Sequence, residues 1–186
     1  MKALIVASSR EELKPFKDQR CIKVASGVGL VLAAVETMRA IVEYCPDIVI
    51  SVGSAGAMNP SYNIGDVLSF RSVSNADQDL SSFHLPRFST LKKDGSTLGS
   101  ISLSSVGGAL LSSSTFASRR VDGYDASDME GYAVALAASS FNIRAAAFKL
   151  ITDIVGEKPY IADYRRILRE GRMKLESEVM SYIDSL

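Results

Sequence analysis

Hydrophobic residues follow two patterns that alternate along the chain. Mostly apolar runs of six to nine residues predict buried strands at 2–7, 47–53 and 144–152, and residues 20–25 resemble a further strand. Apolar residues spaced three or four positions apart predict helices, at 28–45, 129–141 and 160–186. Because few polar residues interrupt 28–45, we expect that helix to be largely buried.

Weaker patterns fill the segments between these elements. Residues 8–19 are polar and compatible with a helix, 54–65 read as a loop, and 75–98 as a loop or flap. Additional strands are predicted at 66–73, 101–104, 109–114 and 124–128. Strands that alternate with helices indicate an α/β fold. We therefore expect a single domain, 1–186, built as a three-layer α/β/α sandwich around a central mixed sheet.

Composition narrows the classes of function. The 186 residues include 21 Lys plus Arg and 21 Asp plus Glu, so the net charge is zero. A nucleic-acid binder needs a basic excess, and we expect no nucleic-acid partner. No apolar run reaches the roughly 18 residues of a membrane span, and residues 1–9 resemble a first strand more than a signal sequence.

Cysteine and histidine content argues against a metal site. Cys21, Cys45 and His84 are the only residues of these two types, and their spacing does not match a zinc site. We expect no metal ion. The absence of a disulfide framework favours the reducing environment of the cytoplasm.

A Gly-x-Gly sequence precedes the helix at 28–45. Gly27 and Gly29 match half of a dinucleotide-binding fingerprint, but Leu32 stands where its third glycine belongs. A tight strand-to-helix turn explains the two glycines better than a cofactor site does. We expect no cofactor.

Small and acidic residues follow several predicted strands, where ligands of α/β proteins commonly bind. Residues 53–57 are small enough for backbone amides to approach a ligand. In the Asp-Met-Glu-Gly sequence at 128–131, a carboxylate could accept hydrogen bonds from a vicinal diol, or cap the following helix. Asp153 would have a raised pKa if buried and could donate a proton, or could cap the next turn. Glu11 and Glu12 follow the first strand, either as functional acids or as solvated ones.

Six segments, taken in order, resemble the purine nucleoside phosphorylase and nucleosidase superfamily. Within it, the chain is most similar to the 5′-methylthioadenosine/S-adenosylhomocysteine nucleosidase group. The segments that carry the resemblance are residues 1–12, 26–29, 46–60, 63–67, 128–135 and 148–153.

The resemblance implies a role for each site residue. Asp153 would protonate N7 of the purine, and Glu12 would position a water on the far face of the sugar. Glu130 would accept hydrogen bonds from the ribose hydroxyls, Met129 would pack on the sugar, and Phe116 would stack on the base. The full set of expected substrate-binding residues is Ser54, Ala55, Gly56, Phe116, Asp128, Met129, Glu130, Lys149 and Thr152.

The resemblance leaves the nucleophile as the first open choice. Glu11 and Glu12 lie where phosphorylases of this superfamily place a phosphate-binding arginine, and two acids repel phosphate. Hydrolysis is therefore expected, with phosphorolysis as an alternative supported by Arg10 and Lys149. Lys149 stands where many nucleosidases have arginine, and the two are not equivalent in bidentate contacts.

The leaving base and the substrate are the second choice. Asp153 suits adenine in this superfamily, which favours methylthioadenosine or adenosylhomocysteine. Similarity of residues 134–157 to futalosine hydrolases keeps futalosine or aminodeoxyfutalosine as an alternative. A member that binds a purine nucleoside without turnover is a further alternative. The family also implies a homodimer.

Overall fold

The computed structural model describes residues 1–157 and 161–186. Its strands are β1 (Ala3–Ala7), β2 (Cys21–Ala25), β3 (Ile48–Ala57), β4 (Val67–Asn75), β5 (Thr90–Leu91), β6 (Thr97–Leu98), β7 (Ile101–Ser102), β8 (Gly108–Ser112), β9 (Ala126–Asp128) and β10 (Arg144–Ile154). Its helices are α1 (Arg10–Leu13), α2 (Leu30–Tyr44), α3 (Gly131–Ser140) and α4 (Ile161–Asp184). Tyr160, where the last helix was predicted to begin, lies outside the described residues.

Strand β3 is the centre of an eight-stranded mixed sheet within the described residues. One edge of β3 pairs in parallel with β10 along its whole length. The other edge is shared, because β1 pairs with Ile48–Ser51 and β9 with Gly56–Ala57. β4 and β8 connect β10 to β9, and β2 extends the sheet beyond β1.

Helices cover both faces of this sheet, so the predicted three-layer fold is confirmed. Helix α3 packs with α2 on one face, and its small residues Ala133, Ala137 and Ala138 are almost fully buried. On the other face, α4 buries Leu175 and Val179 among the side chains of β1, β3 and β10. The sandwich follows from the continuous apolar runs of β3 and β10, which need cover on both sides.

The expectation that the first long helix is largely buried was wrong. In α2 only Ala33, Thr37, Ala40 and Ile41 are buried. The large apolar side chains on its outer side are exposed, namely Val31, Leu32, Val35, Met38 and Val42, together with Val28 just before the helix. The four buried residues form the narrow stripe through which α2 contacts its own chain. The apolar side opposite that stripe is not covered by any of the described residues.

Two strands continue further than predicted. β3 was expected to end at Gly53 and β10 at Thr152, but their parallel pairing continues to Ala57 and Ile154. Ser54–Gly56 therefore lie in a strand rather than a loop. The segment 75–98 is mostly loop, with a 3₁₀ turn at Ser81–Phe83 and the β5–β6 hairpin. In the described ranges no helix has both the length and the apolar character needed to cross a bilayer.

Candidate active site

One cavity of about 210 Å³ lies where the ends of β3, β9 and β10 meet. β3 forms one wall, the β9–α3 junction a second and the end of β10 a third. The structure brings nine of the predicted site residues into these walls, namely Ser54, Ala55, Gly56, Phe116, Asp128, Met129, Glu130, Thr152 and Asp153. Glu12 and Lys149 are not among the lining residues.

Asp153 lies at the end of β10, opposite the small residue Gly56. The register of the β3–β10 pairing shifts between Ile151 and Asp153, and such an irregularity can redirect a side chain. Burial raises the pKa of Asp153, although a hydrogen bond from the Thr152 hydroxyl at 3.0 Å opposes the rise. A Cβ atom on Gly56 would lie 2.6 Å from Asp153 Oδ2. The carboxyl group thus occupies space that only glycine leaves open, and its raised pKa suits proton donation.

Glu130 occupies the turn between β9 and α3, with 8% of its surface exposed. Its Oε1 accepts a hydrogen bond from the Gly29 N–H at 3.0 Å. Burial raises the pKa of Glu130 and Asp128 adds to the rise, whereas Lys149 opposes it. A carboxylate in a cavity wall can accept two hydroxyl groups.

The Gly-x-Gly sequence therefore has a structural explanation. Gly29 has φ = 98°, a backbone conformation that side chains other than glycine's disfavour. That conformation forms the turn into α2, and the Gly29 N–H donates to Glu130. The predicted tight turn is confirmed.

Glu12 lies behind the cavity wall, with 1% of its surface exposed. Its Oε2 accepts the Ser8 hydroxyl at 2.7 Å and the Ser9 N–H at 2.9 Å. Its Oε1 accepts the Ser54 N–H at 3.2 Å. Ser8 and Ser54 line the cavity, so one layer of residues separates the Glu12 carboxylate from it.

Lys149 is also behind the wall, in a buried ion pair with Asp128. Its Nζ lies 2.8 Å from Asp128 Oδ2, and the two side chains are 1% and 0% exposed. Burial favours a lower pKa for Lys149, but the carboxylates of Asp128 and Glu130 outweigh it and hold the pKa above its ordinary value. The lysine expected beside the substrate thus contacts protein groups instead.

Several lining residues were not predicted, namely Ser8, Val28, Thr115, Ala117, Ser127, Val155 and Tyr164. Ser8 follows β1 directly, so the rule that ligands bind at strand ends could have found it. Tyr164 fits the apolar periodicity of α4, and that spacing does not distinguish a core residue from one that lines a cavity. Burial raises its pKa, and its hydroxyl lies 3.4 Å from Ser54 Oγ.

The sequence matches a known family. The sequence profile of the phosphorylase superfamily matches residues 5–94 and 108–184. The chain belongs to the phosphorylase superfamily. In a comparison with single proteins, the chain is 43% identical over 68 residues to a 5′-methylthioadenosine/S-adenosylhomocysteine nucleosidase of Staphylococcus aureus. That match covers 37% of this chain and 30% of the relative's length.

Solved structures of two kinds share this superfamily fold. A mutant futalosine hydrolase of Helicobacter pylori superposes with a TM-score of 0.87 and 19% identity, over 100% of both chains. A mutant 5′-methylthioadenosine/S-adenosylhomocysteine nucleosidase of the same organism, with 5′-methylthioadenosine in its active site, gives 0.87 and 20% over 100% and 99%. These likenesses confirm the nucleoside phosphorylase-like fold.

Proposed function

We propose that this superfamily member hydrolyses the N-glycosidic bond of an adenine nucleoside such as methylthioadenosine or adenosylhomocysteine. The observation that carries the proposal is the pairing of two acids in one cavity. Asp153, with its raised pKa, can give a proton, and Glu130 can accept ribose hydroxyls. The names of the Staphylococcus aureus relative and of the solved nucleosidase support the same activity.

The proposed reaction begins with cleavage of the bond between C1′ and the purine. The electron pair of that bond stays with the base, and Asp153 donates its proton to N7. Positive charge develops on the ribose, where buried carboxylates stabilise it. A water molecule then adds to C1′ and gives its proton to the Ser8 hydroxyl in the cavity wall, which passes its own proton to the Glu12 carboxylate behind it. The products are the free base and a ribose derivative, and solvent exchange restores both acids.

Water is favoured over phosphate as the nucleophile by the charges around the cavity. Among the described lining residues there is no lysine or arginine. Arg10 is exposed, and Lys149 is paired with Asp128. A phosphate dianion would therefore meet carboxylates without a free cation to bind it.

Futalosine or aminodeoxyfutalosine is the second candidate substrate class. The futalosine hydrolase of Helicobacter pylori superposes as well as the nucleosidase does, with a TM-score of 0.87 for each. The substituent on the ribose 5′ position distinguishes these substrates. For methylthioadenosine the reaction would serve methionine salvage, and we place it in the cytoplasm, where Cys21 and Cys45 would remain free thiols.

The decisive experiment compares substrates with and without phosphate. The purified protein is incubated with methylthioadenosine, adenosylhomocysteine, inosine and aminodeoxyfutalosine, and the free base is measured. We expect adenine release that does not require phosphate. Release only with phosphate would indicate a phosphorylase. Thermal stabilisation by adenine without release from any substrate would indicate a member that binds nucleosides but does not cleave them.

We further propose that the protein forms a homodimer through α2. Its outer side exposes a continuous apolar surface, of which Val31 is 74% and Val42 67% exposed. Exposed patches of this kind mark interaction sites. The charged residues Arg39 and Glu36 pair with each other at 3.0 Å, and Glu43 near the end of α2 is the remaining charge on this helix. A second copy offers the same apolar side in a two-fold arrangement.

A further inference from the structure

The buried pair of Lys149 and Asp128 is held by several hydrogen bonds within the protein. Lys149 Nζ has three acceptors, as many as its hydrogens: Asp128 Oδ2 at 2.8 Å, Ser51 Oγ at 2.9 Å and Val52 O at 3.4 Å. Asp128 accepts two more hydrogen bonds, from the Ser112 hydroxyl and from the Gly131 N–H at 2.8 Å. The contacts of both side chains are therefore with the protein itself.

These contacts hold the backbone that carries Glu130. The first amides of a helix lack partners inside the helix. In α3, the Gly131 N–H is bonded to Asp128 and the Tyr132 N–H to Ser112 Oγ at 2.9 Å. Glu130 immediately precedes these residues as the N-cap of α3. Its position is thus fixed by side chains from three strands, β8, β9 and β10.

Lys149 is also the single buried cation among several acids near Glu130 within the described residues. Lys149 lies on β10 and Asp128 on β9, while Glu12 on α1 and Tyr164 on α4 are also near enough for their charges to interact with that of Glu130. Among these neighbours only Lys149 favours the ionised form of Glu130. Without it, three carboxyl groups would share a buried region with no compensating charge.

We propose that Lys149 and Asp128 are positioning residues, whose hydrogen bonds hold the first turn of α3, and with it Glu130, in the cavity wall. Lys149 supplies a positive charge. Asp128 bonds both to Lys149 and to the Gly131 N–H, and so connects Lys149 to the first turn of α3. The nucleoside part of the test below depends on the proposed function, whereas the titration part does not.

The first measurement is made without ligand. The Gly29 amide, which donates to Glu130, reports the ionisation of Glu130 in a ¹⁵N NMR titration. In Lys149→Met the midpoint should move to higher pH by about one unit or more, because a nearby cation has been lost. In Asp128→Asn it should move to lower pH, because a neighbouring negative charge has been lost. Lys149→Arg should stay near the wild type, and Arg144→Met is the control for loss of an exposed cation on β10.

The second measurement compares the affinity for an adenine nucleoside with that for free adenine. Lys149→Met should weaken nucleoside binding roughly ten- to a hundredfold, the range for lost hydrogen bonds to a charged group. Adenine binding should not change, because the base has no hydroxyl for Glu130. As the pH is lowered, nucleoside binding by Lys149→Met should also be lost at a higher pH than in the wild type, because the raised pKa of Glu130 means that it is protonated earlier.

Two results would overturn the positioning role. One is a Gly29 midpoint that is the same in the wild type, Lys149→Met and Asp128→Asn. The other is an equal loss of adenine and nucleoside affinity, which would indicate a structural role only. If Lys149→Met does not fold, the opposite shift in Asp128→Asn still decides the question. A wild type that binds no nucleoside would contradict the proposed function, while the titration would still test the pair.

Discussion

Replacing Asp153 by Asn separates proton donation from every other property of the site. The two side chains have nearly the same shape, so the close approach to Gly56 is preserved. Asn keeps an oxygen that can accept the Thr152 hydroxyl, now at 3.0 Å from Asp153 Oδ1. It has no acidic proton to give to a leaving base. We therefore expect binding to be retained and the chemical step to be lost.

The size of the loss follows from the role of a general acid. Such a group accelerates a reaction roughly 100- to 10,000-fold, which corresponds to about 3–5 kcal/mol of activation free energy. In Asp153→Asn, kcat should fall by this factor while the affinity for adenine stays close to that of the wild type.

The stability of Asp153→Asn should not fall with its activity and should be unchanged or higher at neutral pH. Burial raises the pKa of Asp153 above its ordinary value of 3.8 in the folded protein. The contribution of this group to the free energy of unfolding is therefore complete below pH 3.8 and is lost as the pH rises through the folded-state pKa. Asn carries no charge at any pH. At neutral pH, Asp153→Asn should melt at the same temperature as the wild type or higher, and the advantage should disappear in acid.

Three measurements on one preparation test this reasoning. They are adenine release from methylthioadenosine, adenine affinity by calorimetry and the melting temperature at neutral and acid pH. Asp122→Asn, at an exposed loop position, is the matched control and should change none of them. Wild-type turnover in Asp153→Asn would remove Asp153 from the mechanism. A large loss of stability at neutral pH would show that its charge is stabilised in the folded state.

Three further variants test the rest of the site and the interface. Glu12→Gln should abolish hydrolysis but keep adenine binding, because Gln cannot take a proton from water; base release and calorimetry measure the two. Gly56→Ala should weaken adenine binding by roughly tenfold or more, because a methyl group 2.6 Å from Asp153 Oδ2 and 3.0 Å from Val155 Cγ2 forces the wall to move. Val35→Glu should convert the dimer to a monomer in sedimentation experiments, since it places a charge in the apolar surface of α2.

Each of these variants has a control in the same chain. Glu11→Gln, the control for Glu12→Gln, changes the partly exposed neighbouring acid and should keep hydrolysis. Gly99→Ala adds a methyl group where no atom lies within 4 Å and should keep affinity. Met173→Glu changes an apolar residue that is 58% exposed on α4 and should keep the dimer. A variant and its control that behave alike would contradict the corresponding role.

Local sequence patterns predicted most of the elements because strands and helices here have strong periodicity. The runs in β1, β3 and β10 are buried on both faces, so apolar residues dominate them up to the site. The small residues Ser54–Gly56 lie near the carboxyl end of β3, Asp128 ends β9 and Glu130 follows it, so all of them lie at strand ends, where chemistry is expected. Their meeting in one cavity agrees with that prediction.

Tertiary contacts explain what the sequence did not predict. The apolar residues of α2 have the same spacing whether they face a core or a second protein, so their exposure was missed. Glu12 and Lys149 belong to the right region, but their side chains bond to Ser54 and Asp128 rather than line the cavity. Hydrogen bonds between residues 20 to 100 positions apart leave no signal in local spacing.

The position of β10 between β3 and β4 has a consequence for synthesis on the ribosome. More than 80 residues separate Ala57 from Arg144, so β3 is made long before the strand that pairs with its whole free edge. Until residues 144–154 have emerged, the nascent chain exposes an unpaired apolar strand, which is a hazard for aggregation. The wall that carries Asp153 forms in the same event that closes this edge, so the cavity and protection from misassembly should be acquired together.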